Sequence, residues 1–195
     1  KFHLDRDTVR IVTEVLLPSR DADVAIHFAA ANGWDDARNG SVSWTIEDGG
    51  GQVVAEADPM ALHLDRQSDS GELSVKLRVT SPRLWSPAEP ALYAARWQLK
   101  MGTVVVDEGV ERFGIRTPEF RPRQGFFLNG QRLELRGCNR HESMPGFGSA
   151  LPAALHREDV AAIKNLGLNF VRLSHCPQHP AFLDACDELG ILVYA

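Results

Sequence analysis

The sequence predicts two successive folds, an antiparallel β-sandwich over residues 1–117 and a parallel strand-and-helix segment over residues 118–195. Two observations carry this expectation. Up to about Thr117 apolar residues recur with period two, the pattern of strands with one buried and one wetted face. Beyond Pro118 the order becomes strand, helix, strand, helix, strand, and parallel strands need such crossover helices to connect them.

In the first part Val24, Ile26 and Phe28 share one strand face, Val42, Trp44 and Ile46 a second, and Leu73, Val75, Leu77 and Val79 a third. Turns are expected at Asn32-Gly33, Asn39-Gly40, Asp48-Gly49-Gly50-Gly51 and Ser70-Gly71, residues that tolerate turn conformations. Short strands at this spacing make a sandwich. No cysteine falls within it, so packing alone must hold it. Trp44 is expected in the core and Tyr93 at a sandwich corner.

In the second part Phe126-Phe127-Leu128, Asn129-Gly130, Leu133 and Leu135 read as a tight hairpin. A helix is expected over residues 156–166, with Val160, Ile163 and Leu166 facing inward and Gly167 ending it. Glu158 and Asp159 sit near its start, where the helix dipole favours acids. Residues 169–173 form a strand. Pro180 opens a second helix with Phe182, Leu183, Cys186 and Leu189 inward, Gly190 ends it, and residues 191–194 form the last strand. Three strands and two helices standing alone would leave apolar edges open, so neighbouring strands are expected beside them.

The 195 residues, 44% hydrophobic and 24% charged, describe an ordinary globular chain with room for one large or two small domains. A net charge of −5 without a basic run argues against nucleic acid and against a membrane surface. The apolar runs are too short to cross a bilayer. The first residue is Lys1 and no charged-then-apolar leader follows, so a processed or partial start is expected. Cys138, Cys176 and Cys186, odd in number and irregularly spaced, read as free thiols of a reducing compartment, which implies a cytoplasmic protein.

Functional residues in parallel α/β units gather at the carboxyl ends of the strands. After the first strand come Cys138, Asn139, Arg140, His141 and Glu142. After the second come Ser174, His175 and Cys176, with Arg172 inside the strand. Such a rim is rich in hydrogen-bond donors and suits a polyhydroxylated or anionic ligand. Blander readings stand beside this one. His141 and His175 fit equally as loop caps or satisfied core histidines, and Arg172 fits a buried ion pair. Glu142, beside two basic residues, reads as their structural partner before it reads as a general acid. Asp184, Asp187 and Glu188 lie near the solvated side of the second helix, away from the rim. Cys138, His141, His175 and Cys176 have zinc-type side chains, but an adjacent His-Cys pair does not easily converge on one ion, which disfavours a metal site.

At the rim the residues become distinctive. Arg136-Gly137-Cys138-Asn139-Arg140-His141-Glu142 with Pro145, and the run from Asn169 through Arg172-Leu173-Ser174-His175-Cys176-Pro177 to Val193-Tyr194, resemble two strand motifs of family 2 glycoside hydrolases of the β-galactosidase type. Leu84-Trp85-Ser86-Pro87, Phe113-Gly114-Ile115-Arg116 and Phe127-Leu128-Asn129-Gly130 resemble the junction between that family's sandwich and its barrel. The resemblance implies a multi-domain fold, an immunoglobulin-like antiparallel β-sandwich followed by the first β/α units of a truncated TIM (β/α)8 barrel. It implies a fragment of a retaining enzyme that hydrolyses terminal β-D-galactosides in carbohydrate catabolism. The acid/base and nucleophile glutamates would lie beyond Ala195, and a sugar-binding-type domain before the sandwich, so no catalytic residue is expected in this chain and the isolated chain should be inactive. His141 and His175 match histidines that contact the sugar and stabilise its transition state, Arg172 matches an arginine near the nucleophile, and Asn139 orients the first loop. The Arg140-His141-Glu142 form favours a galactosidase over a β-glucuronidase or a mannosidase, while Cys176 stands where the family usually has tyrosine. No metal or cofactor is implied in this stretch, Mg2+ and Na+ being held by residues outside it. The implied partners are a β-galactoside and further copies of the parent, with no nucleic acid and no membrane. The alternatives are a β-glucuronidase or other family 2 β-glycosidase, or a non-catalytic carbohydrate-binding sandwich. If the resemblance holds, the two imidazoles should stand near enough to touch one monosaccharide.

Overall fold

Alternation makes the first unit. A computed structural model describes every residue except Leu17. By contacts the chain divides into one unit of residues 1–83 and 93–115 and a second of residues 84–92 and 116–195. In the first unit β1 (Phe2–Val15), β2 (Ala22–Asn32), β3 (Arg38–Glu47), β4 (Val53–Glu56), β5 (Met60–Leu64), β6 (Ser68–Asp69), β7 (Leu73–Val79), β8 (Tyr93–Met101) and β9 (Val104–Phe113) build two antiparallel sheets. One sheet gathers β1, β6 and β7 around β2. The other runs β4-β3-β8-β9, with β5 also on β3.

The inward faces are those that the period-two pattern selects. Val24, Ile26 and Phe28 of one sheet and Val42, Trp44 and Ile46 of the other are buried. Phe28 meets Trp44 at a ring-centroid distance of 5.2 Å, and Trp44 meets Trp97 at 5.3 Å, so an aromatic column joins the sheets. The Tyr93 hydroxyl accepts a hydrogen bond from the Arg83 amide at 2.8 Å, the corner expected of a sandwich tyrosine. Burial pushes its pKa up.

One expected turn is not a turn. Asn39-Gly40 lies inside β3, where Gly40 is required by close approach. A Cβ there would stand 2.6 Å from the Phe2 ring and 2.7 Å from the Lys100 carbonyl. Glycine in a strand marks a neighbour pressed against the backbone as often as it marks a bend.

The second unit opens with β10 (Pro118–Arg121), β11 (Gly125–Leu128) and β12 (Gln131–Arg132), an antiparallel sheet. Asn129 and Gly130, both at positive φ, close the β11–β12 hairpin. Then follow β13 (Gly137–Arg140), α1 (Ala153–Asn165), β14 (Phe170–Leu173), α2 (Pro180–Leu189) and β15 (Leu192–Tyr194), with the strands parallel in the order β13-β14-β15. Both helices pack on one face of this sheet. Val160, Ile163, Val171, Leu173, Phe182, Ala185, Cys186 and Ile191 form the core between them.

Three expectations about the helices need correction. Helix α1 begins three residues earlier than the apolar pattern indicates, so its first turn holds no acid and Glu158 and Asp159 fall in the second. Its buried stripe is His156, Val160 and Ile163, and Leu166, past the last helical residue, is 76% exposed. In α2 it is Ala185, not Leu183, that joins Phe182 and Cys186 inside, since positions three and four apart share a helix face. Gly190 caps α2 in the left-handed conformation at φ 74°.

Residues 84–92, which in sequence belong to the sandwich, group with the second unit. Trp85 is buried with Phe126, Leu128 and Leu192, and its indole donates to the Asp187 carbonyl at 2.8 Å. The Arg116 guanidinium lies over its ring at 4.6 Å.

In the sandwich, Gly109 sits beneath Trp97, and a Cβ there would come within 2.1 Å of the ring. Gly109→Ala should therefore destabilise the sandwich by about 1–3 kcal/mol, the usual range for overpacking. A urea titration followed by far-UV circular dichroism should give a lower midpoint than the wild type.

Candidate functional site

Strand alternation sorts the residues of the parallel sheet. Cys138, Val171, Leu173 and Val193 face the helices. Asn139, Arg172 and Tyr194 lie on the opposite face in a single register row, Asn139 beside Arg172 and Arg172 beside Tyr194. Asn139 and Tyr194 are exposed and Arg172 is half-buried. Among the described residues Arg172 has no hydrogen-bond or ion-pair partner. Its charge is therefore available to whatever occupies that face.

His141 and His175 follow the ends of β13 and β14, and both are exposed. Their ring centroids are 6.1 Å apart with planes inclined at 70°, and neither ring is hydrogen-bonded among the described residues. Two edge-on imidazoles at this separation can each reach a different hydroxyl of one sugar ring. His175 has φ 67°, a conformation rare outside glycine that tends to collect at functional sites.

The roles of cap and core histidine fall instead to two other residues. His179 caps α2, its Nδ1 accepting from the Ala181 amide at 3.1 Å. His156 is the core histidine, 1% exposed and stacked on His179 at 4.8 Å. Neither was singled out in the sequence. Their signals were a His-Pro pair opening a helix and a histidine four residues before a buried valine.

Arg140 also departs from expectation. It is the last residue of β13, its side chain faces the helix layer, and it is 7% exposed, so it is not part of the rim. The guanidinium donates to Asp159 Oδ2 from Nε at 3.1 Å and from a terminal nitrogen at 2.8 Å. It also bonds Gln178 Oε1 and meets His156 Nδ1 at 3.1 Å. Its flat face lies 4.1 Å from the Phe182 ring centroid. A buried charge persists only when paired, and Asp159 supplies the pair. Glu142 is engaged in structure as well, its Oε1 accepting from the His179 amide at 2.9 Å and lying 3.5 Å from His156 Nε2.

Among the described residues no three His, Cys, Asp or Glu side chains are placed to hold a metal ion. Cys138, Cys176 and Cys186 are unpaired thiols. The sandwich carries a cleft of about 490 Å3 lined by Ser43, Thr45, Arg96 and Glu108, and another of about 350 Å3 beside Asp5, Thr8 and Glu72. In the larger cleft the charged groups already have partners, Arg96 pairing with Glu47 and Glu108 accepting from the Gln98 amide. The row of free donors on the parallel sheet is the better candidate.

Comparison with known proteins decides the family. The model for "Glycosyl hydrolases family 2" matches residues 3–116, and that for "Glycosyl hydrolases family 2, TIM barrel domain" matches residues 121–195. The chain belongs to glycoside hydrolase family 2. It is the family's sandwich followed by the opening strands of its TIM barrel domain, and so β13, β14 and β15 are barrel strands. A β-galactosidase of Thermoanaerobacter pseudethanolicus is 42% identical over 63% of this chain and 17% of its own length. A β-glucuronidase of Bacteroides fragilis is 32% identical over 96% of this chain and 26% of its own length. The crystal structure of a Bacteroides uniformis β-glucuronidase superposes with a TM-score of 0.91 at 28% identity, covering 98% of this chain and 24% of that one. The chain thus spans between 17 and 26% of the length of these family members.

Two outcomes follow from the site. Burial and the Arg140 charge push the His156 pKa below its ordinary 6.5, with His179 adding to the effect and Glu142 and Asp159 opposing it. An imidazole held neutral in the fold takes up its proton in the unfolded chain first. Its contribution to stability is whole above about pH 6.5 and is lost progressively below it, as pH falls through the lower folded-state pKa. His156→Gln should flatten the dependence, and urea midpoints at about pH 7.5 and 5.5 should fall less in the variant than in the wild type. The Cys186 pKa is pushed up to about 12 by burial, whereas Cys176 is exposed. A chromogenic disulfide reagent should label Cys176 in the native protein and reach Cys186 only in denaturant.

Proposed function

We propose that this chain forms one wall of the sugar-binding pocket of a retaining β-glycosidase acting on terminal β-D-galactosides. The observation that carries the reading is the pair of unpartnered imidazoles of His141 and His175, 6.1 Å apart at adjacent barrel-strand ends. In this family role each ring accepts a hydrogen bond from a sugar hydroxyl. Such bonds strengthen as positive charge develops at the anomeric carbon and the hydroxyls acidify, so they favour the transition state over the bound substrate. Arg172, without a carboxylate of its own, sits on the barrel-lumen face, where its charge would keep a nearby nucleophilic carboxylate ionised. Asn139 stands next to it and orients the first loop.

Retaining hydrolysis requires two carboxyl groups about 5 Å apart, one to protonate the leaving oxygen and one to attack. Glu142, the carboxylate at these strand ends, accepts from the His179 amide in a structural role, and one carboxylate cannot fill both positions. The family resemblance assigns the acid and the nucleophile to later barrel strands, beyond Ala195 in a protein of the relatives' length, and the 195-residue chain alone is expected to be inactive. The Arg140-His141-Glu142 run and the 42% identity to a β-galactosidase favour galactosides. A β-glucuronide is the second reading. It is favoured by the free charge of Arg172, which suits the sugar carboxylate, and by the β-glucuronidase relative matched over 96% of the chain.

The test is hydrolysis of p-nitrophenyl β-galactoside and β-glucuronide by the longer protein and by the 195-residue chain. The longer protein should turn over the galactoside with the higher kcat/KM, and the chain should turn over neither. In the longer protein His175→Ala should lower kcat about 100- to 1000-fold, with a smaller change in KM, as loss of a contact that strengthens in the transition state does. Preference for the glucuronide would replace the first reading by the second, and an unchanged kcat would remove His175 from the pocket.

A further inference from the structure

We propose that Arg140 and Glu142, the neighbours of His141 on either side, are positioning residues that hold the loop bearing His175 at its distance from the His141 ring. The functional meaning of this clamp rests on the sugar-pocket reading of the two rings.

Its parts are distributed around His175. Ahead of it, the Arg140 carbonyl accepts from the Ser174 amide at 2.9 Å. Behind it, the Arg140 guanidinium bonds Gln178 Oε1, and Gln178 Nε2 donates to the Cys176 carbonyl at 3.1 Å. Further on, the Glu142 carboxylate accepts from the His179 amide at 2.9 Å. Ser174, Cys176, Gln178 and His179 are thereby tied to the two neighbours of His141, and the His175 ring is left to project.

The arrangement follows from strand alternation. With His141 turned to the rim, the side chain of the residue before it faces the helix layer, where the next loop returns. Arg140 is itself immobilised, since Asp159, His156 and the Phe182 ring fix its plane. A left-handed residue such as His175 persists only when its surroundings over-determine it, and these ties supply that constraint. The loop geometry would otherwise have no reason to keep the two rings at 6.1 Å.

The test uses the 195-residue chain and nuclear magnetic resonance. The wild type should give a cross-relaxation peak between the ring protons of His141 and His175. Glu142→Ala and Gln178→Ala should each lose that peak, and in Glu142→Ala the His179 amide should exchange about tenfold faster. Glu142→Gln, which keeps an acceptor for the His179 amide, should restore both. Ile163→Ala, a core truncation in α1 away from the loop, should lower stability and keep the peak. Unchanged peaks in both clamp variants, or a peak lost equally in Ile163→Ala, would overturn the proposal. Turnover by the longer protein separates the two ideas. A kcat unchanged by His175→Ala there, while the clamp variants behave as stated, would remove the pocket reading and leave the clamp standing.

Discussion

Parallel strands cannot be joined by a tight turn, and much of the second unit is a consequence of that constraint. Each connection must cross over, and here both crossovers are helices lying on the same face of the sheet. That face is closed by apolar packing. The other keeps Asn139, Arg172 and Tyr194 in a row, and the loops after the strands carry the two rim histidines. Chemistry is confined to one side before any particular residue is chosen.

The same constraint explains why polar residues appear on the helix side at all. Where a strand passes into a loop the apolar layer ends, and Arg140 is the residue at that boundary on β13. Its charge is out of water and would be very unfavourable alone. Asp159 from α1 and Gln178 from the next loop make it tolerable, and the network they form is more directional than an apolar plug would be. Directional bonds fix a loop in a way that dispersion contacts do not.

Much of this was legible in the sequence, and the failures share a cause. Val24, Trp44 and Leu77 announced their buried faces because a strand's period is short and each residue votes independently. Pro180 and Gly190 announced the ends of a helix through their own backbone preferences. Leu166 differs from expectation because a helix face depends on where the helix begins, and the start of α1 carries no capping side chain to mark it. Leu183 differs because α2 carries apolar residues on more than one side, and only packing selects Phe182, Ala185 and Cys186. Gly40 looks like a turn residue because its reason for being glycine lies in Phe2 and Lys100, far away along the chain. At the site, His141 and His175 stood out through a family motif, and their mutual distance is a tertiary fact. Arg140 was placed on the wrong side because its partners Asp159, His156 and Gln178 come from two later elements.

Trp85 illustrates a different relation between chain order and folding. It precedes β8 and β9 of the sandwich, yet it fills the cluster of Phe126, Leu128 and Leu192, and the carbonyl of neighbouring Pro87 receives the Lys164 ammonium at 2.5 Å. A polypeptide cut at residue 117 would thus yield a C-terminal piece with a tryptophan-sized vacancy, a defect on the order of 3–5 kcal/mol. The cooperative unit and the contiguous segment are not the same object. Anyone dividing this molecule for expression, or grafting its barrel strands onto another scaffold, would have to carry the strap of residues 84–92 along.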